Sequence, residues 1–163
     1  MSDTFLIRPA ARADVPLIFS LIRELAEFER LAHEVVGSEA LLSEHLFGLR
    51  PAAEVLLAFA DDAPAGFALF FQNFSTFLAR PGIYLEDLFV RPEFRRRGLG
   101  RALLERLART AVERGCGRFE WAVLDWNEDA IAFYKKLGAT VLDDWRVCRV
   151  AGPALDRLGA PAR

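Results

Sequence analysis

The chain has 163 residues, 53% of them hydrophobic, and a formal net charge of −2. That length fits one domain with a sizeable core, and the slight acidity argues against a nucleic-acid partner. No run of 18 apolar residues occurs, which argues against a membrane span, and the start Met1–Arg8 lacks the basic and apolar stretches of a signal peptide. Cys116 and Cys148 form no CxxC pair, which fits a reducing cytoplasm. His33 and His45 have no neighbouring Cys or His, so no metal site is expected, and both are read as surface residues.

In chain order, Thr4–Arg8 alternates as a first strand. A turn follows, in which Asp14 can cap a helix with Pro16 in its first turn. Leu17, Leu21, Leu25 and Phe28 recur at helical spacing. Ser38 is placed to cap a second helix carrying Leu41, Leu42, His45 and Leu46. Glu54–Ala60 and Phe67–Asn73 read as a hairpin around the turn 61–66, and Ser75–Gly82 as an irregular connection to the strand Ile83–Val90. Ala102, Leu103, Leu107, Ala111 and Val112 trace one face of a helix from Gly98 to Arg114, which Gly115 or Gly117 ends. Phe119–Val123 is a strand. Asp125 or Asn127 caps a helix with Ile131, Phe133 and Tyr134, and Gly138 stops it. Trp145–Val150 is a last strand. This mixture indicates an α/β sheet protein in one domain, 1–163, with a core over 4–150 and a mobile tail over 151–163.

Charge is unevenly placed. Residues 20–45 hold six Glu, and residues 91–118 hold nine Arg. Solvated helix faces would produce this pattern, and so would an acidic region for a cationic acceptor beside a basic region for an anionic cofactor. The densest basic stretch follows the strand 83–90: Arg95, Arg96, Arg97 and Arg101 surround Gly98 and Gly100, where a helix begins. A helix N-terminus offers unpaired N–H groups and the positive end of its dipole, a ready anion site. Gly100 is followed by Arg101-Ala102, so the turn is no P-loop. The place of a third dinucleotide-binding glycine is Leu103. What remains is Arg-x-x-Gly-x-Gly, which by itself could also be a glycine-rich surface turn.

The run Leu85–Gly100 resembles the acetyl-CoA-binding motif of GNAT-superfamily N-acetyltransferases. Trp126–Ala139 is similar to that superfamily's second signature. Ile7-Arg-Pro-Ala10 and Glu24–Glu29 resemble the diamine (spermidine/spermine) and thialysine acetyltransferase subgroup. The resemblance implies a mixed, mostly antiparallel sheet flanked by helices. It implies acetyl-CoA as co-substrate, held by Leu88, Phe89, Val90, Arg95, Arg96, Arg97, Gly98, Leu99, Gly100 and Arg101, with Asn127 hydrogen-bonding the cofactor or simply capping its helix. It also implies a homodimer in the cytoplasm, with 145–150 as an interface element. Phe28, Glu29, Glu34, Asp87, Asp144 and Trp145 would line a pocket for a cationic amine. Asn73-Phe-Ser-Thr-Phe77 departs from the polyamine enzymes toward the thialysine type.

Acetylating an amine needs a base, because a free alkyl amine has a pKa of about 10. Glu86 sits in an otherwise apolar strand, where burial would suit a carboxyl group to that task. Glu86 and Asp87 point to opposite faces, because strand side chains alternate, so only one of them can face the reaction centre directly. The resemblance favours Glu86 as base or anchor, and a structural carboxylate pairing an arginine is the other reading. Tyr134 on spacing alone would be a core aromatic; the matching signature makes it the acid that protonates the departing thiolate. The expectation is therefore direct acetyl transfer to a small primary amine such as a diamine, polyamine or thialysine-like amino acid. The alternatives are acylation of a protein lysine or N-terminus, or a non-catalytic acetyl-CoA-binding module.

Overall fold

The computed structural model describes residues 4–161. Residues 1–3 and 162–163, which belong to the expected 1–163 domain, its amino-terminal stretch and its tail, lie outside the described residues. The chain forms two compact units, one up to Ala122 and one from Val123.

In the first unit five strands lie in the order β1 (Phe5–Pro9), β2 (Glu54–Ala60), β3 (Ala63–Ser75), β4 (Arg80–Val90) and β5 (Arg118–Trp121). The first four pair antiparallel with their neighbours. β5 runs parallel to β4, pairing Gly82–Leu85 with Arg118–Trp121. The expected mixed, mostly antiparallel sheet is thus the one found.

The hairpin turns are tighter than their composition suggests. β2 and β3 are joined by Asp61 and Asp62 alone, both at positive φ (51° and 64°), the geometry that matches strand twist in a two-residue hairpin. The expected turn residue Pro64 lies inside β3, opposite Phe59 at an irregularity in the β2 register, one of the few places where a strand tolerates a missing N–H. Likewise β3 extends to Ser75 and β4 begins at Arg80, so half of the expected irregular connection is strand.

Helix α1 (Val15–Phe28) covers one sheet face. Its Ile18, Leu21 and Leu25 pack with Leu46 of α2 (Glu39–Phe47) onto Val55, Leu57, Phe67 and Phe89. Each such fully buried side chain contributes roughly 1.5–3 kcal/mol. Ser38 caps α2 as expected, accepting the Leu41 N–H at 3.2 Å. Asp14 does not cap α1 with its side chain. Its carboxylate instead accepts from Arg8 Nη1 (2.7 Å) and Nη2 (2.9 Å) and from the Ala11 N–H (2.7 Å), which holds it below the usual carboxylate range. A second anchor ties α1 to the end of β4: Arg91 donates to both Glu24 oxygens (2.9 and 2.8 Å) and to the Pro64 carbonyl (2.8 Å).

Helix α3 (Leu99–Glu113) packs against β4, β2 and β5, burying Leu99, Leu103, Leu104, Leu107 and Ala111. Val112, expected on that face, is 78% exposed, and Leu104 takes the inward place. The helix stops where Cys116 N–H bonds the Ala111 carbonyl and Gly115 N–H the Val112 carbonyl.

In the second unit α4 (Glu128–Lys136) is capped by Asn127, whose Oδ1 accepts the Ala130 N–H at 3.3 Å, and α5 spans Pro153–Leu158. One expectation fails here: the segment 145–150 is not a strand. The tail carries the short, exposed helix α5.

Candidate active site

The site begins with a break in the alternation of β4. Leu69 of β3 pairs with Asp87, but the next residue, Phe70, pairs with Leu85, so Glu86 is an extra residue in the ladder. Such a bulge puts residues of equal parity on opposite faces. Cross-strand partners share a face: Leu69 packs against the α1–α2 core cluster, and Asp87 shares its side. Leu85, two residues earlier, lies on the other face, and strict alternation would have put it with Asp87. The bulge also coincides with the last pairing to β5, so β4 from Glu86 to Val90 has no β5 partner along its outer edge.

Burial falls on the other carboxylate than the one expected. Glu86 is exposed, and burial acts on Asp87 instead. Desolvation, reinforced by the negative charges of Glu86 and Glu29, pushes the Asp87 carboxyl from 3.8 to about 6. Glu29, just past the end of α1, is itself raised by burial. Three carboxylates thus share one neighbourhood. Tyr84, which the sequence reading passed over, lies on the same strand with its ring centroid 5.2 Å from that of Phe71. Burial and the charges of Glu86 and Glu120 raise its phenol. Its place at the head of Tyr84-Leu-Glu-Asp87 was the available signal. A second missed feature is Asn73: Nδ2 donates to Glu120 at 3.3 Å while its buried Oδ1 has no partner among the described residues.

Beyond Val90 the chain turns through Pro92–Phe94 and enters α3. Arg96 (φ 62°) and Gly98 (φ 89°) both adopt left-handed backbone, and Gly98 is the N-cap. Ala102 is the first residue to close the helical ladder, on the Gly98 carbonyl at 3.0 Å, so the amides of Leu99, Gly100 and Arg101 precede any intrahelical acceptor. At the base of the turn a β-carbon on Gly66 would run into the Phe89 carbonyl oxygen and come within 3.2 Å of Val90 Cα, so only glycine lets β3 lie this close to β4.

The arginines of the turn have divided tasks. Arg97 pairs with Asp61 (2.8 Å), tying the turn to the β2–β3 hairpin, and Arg101 pairs with Glu105 (2.7 Å) on α3. Arg96 is exposed. Arg95 turns inward: Nε donates to the Val90 carbonyl (2.9 Å), and its guanidinium lies 4.5 Å from the Phe28 ring centroid and 5.7 Å from that of Phe89. The expected substrate residue Phe28, 43% exposed, is therefore a platform for Arg95 rather than part of the α1 core face. Phe28, Glu29, Asp87 and Arg95 are thereby gathered at one end of the sheet's α1 face. Glu34 lies in an exposed 3₁₀ turn, 3.4 Å from His33.

In the second unit Tyr134 is half-buried on α4 with its ring 5.5 Å from Phe133. Asp144 and Trp145 are exposed. A cleft of about 260 Å³ in the first unit, lined by Leu46, Val55, Leu56, Phe70, Arg106 and Arg114 among others, contains none of the expected site residues.

The chain matches the family model of the acetyltransferase (GNAT) family over residues 20–139. A thialysine N-epsilon-acetyltransferase from Sus scrofa is 39% identical over 164 residues, covering 94% of this chain and 96% of its own length. An L-ornithine N5-acetyltransferase from Arabidopsis thaliana is 36% identical over 197 residues, covering 93% of this chain and 86% of its own. Among solved structures, an integron cassette protein from the mobile metagenome of V. cholerae is similar with a TM-score of 0.81 and 25% identity, covering 99% of each chain.

Proposed function

The chain belongs to the GNAT acetyltransferase family, and from that premise we propose that it carries acetyl from acetyl-CoA directly to the side-chain amine of a small cationic acceptor. The observation that carries this reading is Asp87, a carboxyl raised to about 6 beside Glu29 and Glu86, at the bulge where β4 loses its β5 partner.

The donor side fits the residues present. The outer edge of β4 from Glu86 to Val90 can accept an extended amide-bearing arm as an added strand. The amides of Leu99, Gly100 and Arg101, at the positive end of α3, suit a pyrophosphate. Acetyl-CoA has both groups. Gly98 and Arg96 give the turn its left-handed bends, and Arg96 adds exposed positive charge. Asn127 serves α4 as its cap, so its part in donor binding is indirect: it holds the start of the helix that bears Tyr134.

On the acceptor side, a protonated amine is drawn to the Asp87, Glu29 and Glu86 carboxylates. Asp87 accepts the ammonium proton, because a base near 6 both ionises at neutral pH and retains enough proton affinity to take it. Glu86 acts on Asp87 through its charge. Tyr134 protonates the departing thiolate. A homodimer in the cytoplasm belongs to the same reading: both cysteines are free, and exposed Phe74, Phe77 and Leu78 on the β3–β4 hairpin offer an apolar patch.

Product formation from acetyl-CoA across thialysine, ornithine, lysine, spermidine and a protein N-terminus tests the reaction. Turnover is expected with the small amines. Tyr134→Phe should bind CoA as the parent does and lose about 10²-fold or more in kcat. Silence across the panel with tight CoA binding would make the protein an acetyl-CoA-binding module, and near-parental kcat for Tyr134→Phe would remove its role.

A further inference from the structure

Strand β5 is four residues long and pairs only with β4, so its backbone contacts give little to fix its register. Side chains add a bridge from β3. Asn73, Gly82 and Arg118 stand in one row across β3, β4 and β5. Asn73 Nδ2 donates to Glu120 Oε1 at 3.3 Å, and Arg118 Nε lies 2.6 Å from the same oxygen. Arg118 Nη2 donates back to the Phe74 carbonyl at 3.4 Å. Two groups of β3 thus reach over β4 to two side chains of β5. The bridge passes above Gly82, where a β-carbon would lie 2.4 Å from Asn73 Oδ1 and 3.2 Å from Arg118 Cγ, so a side chain there would push the amide aside. A carboxylate can only accept, which turns Nδ2 toward Glu120 and leaves Oδ1 buried with no partner among the described residues. A leucine of similar size would avoid that cost, so an asparagine is unfavourable here unless its amide nitrogen is used.

Register is what such a bridge controls. Trp121 pairs with Leu85, and β4 from Glu86 onward has no β5 partner. A parallel strand moved two residues along β4 keeps its side chains on the same faces, so the hydrophobic pattern alone does not forbid that slip. It would cover Glu86 and Asp87 and carry Glu120 about 6.6 Å away from Asn73. We propose that Asn73 is a positioning residue: by bridging over Gly82 to Glu120 it fixes the register of β5 and so keeps the outer edge of β4 open for the extended arm of the donor. This rests on the proposed function above. Asn73 acts through Glu120 and β5 rather than through the donor itself.

The test measures CoA affinity by calorimetry, the KM for acetyl-CoA, and amide hydrogen exchange over Arg118–Trp121. Asn73→Leu keeps the side-chain volume and removes the bridge, and Gly82→Ala displaces the amide with both its partners in place. Each should speed exchange in β5 and weaken CoA binding by about 10-fold, with kcat at saturating acetyl-CoA close to that of the parent. Asn73→Asp sets a like charge against Glu120 and should bind CoA more weakly still. Combining Asn73→Asp with Glu120→Gln rebuilds an amide–carboxylate bridge in the opposite sense and should recover most of the affinity. Parental CoA affinity in Asn73→Leu overturns the proposal, whether β5 exchanges faster or not. A double variant no better than Asn73→Asp also overturns it, because the loss would then not come from the bridge. A parent that binds CoA and acetylates no amine removes the acetyl-transfer reading alone, since exchange and CoA affinity still decide the part played by Asn73.

Discussion

Asp87 and Glu86 are adjacent and chemically alike, so nothing in their identity ranks them. The ladder ranks them: one extra residue at Glu86 turns Asp87 toward the α1 face, where burial and two neighbouring charges raise it to about 6. If Asp87 accepts the proton, kcat/KM should rise with pH through about 6. Asp87→Asn should remove that limb and lower the rate by about 10²- to 10⁴-fold. Glu86→Gln removes a negative charge from beside Asp87, so its limb should move to lower pH with a smaller rate loss. A pH profile for Asp87→Asn that keeps the limb would assign the titration elsewhere. Asp14 gives the same lesson at a structural position. It has the right type and spacing for a cap, but the Arg8 guanidinium outcompetes the α1 amides for its oxygens.

Elements carry the donor site. The turn between β4 and α3 was legible because glycine spacing and a following apolar periodicity are local signals, and α3 begins within a residue of its expected start. Gly98 has nothing within 4 Å of a built β-carbon, so a substitution there acts through backbone conformation alone. Gly98→Ala should cost about 1–2 kcal/mol in urea unfolding and raise the KM for acetyl-CoA, leaving the acid limb of the pH profile in place. Full stability with unchanged KM would show that the left-handed bend is dispensable. The segment 145–150 failed as a strand for a complementary reason. Trp145-Arg-Val-Cys-Arg-Val150 contains residues that favour strands, but a strand exists only through pairing with another segment, and residue preference does not name one.

At the scale of the molecule, the site opposes the fold. Asp87 binds its proton more tightly folded (about 6) than at its ordinary value of 3.8, so the native chain holds the extra proton between those values. Its contribution is fully present below about 4 and lost as pH rises through about 6, to the extent of about 3 kcal/mol. Asp87→Asn should therefore be more stable than the parent at pH 7–8, with the difference shrinking toward pH 4 in paired unfolding curves. Asp14, Glu24 and Glu54, held low by arginines, act in the opposite sense and are common to both proteins, so the difference isolates Asp87. Composition, periodicity and two spaced motifs determined the sheet class, the helix that follows β4, and the family. Those signals are local, and each survives reading one residue after another. Only the tertiary structure decided which carboxylate is buried, that Arg95 turns inward onto Phe28, and where β4 is left without a partner. Each depends on strand register, and register is set by packing between segments far apart in the chain.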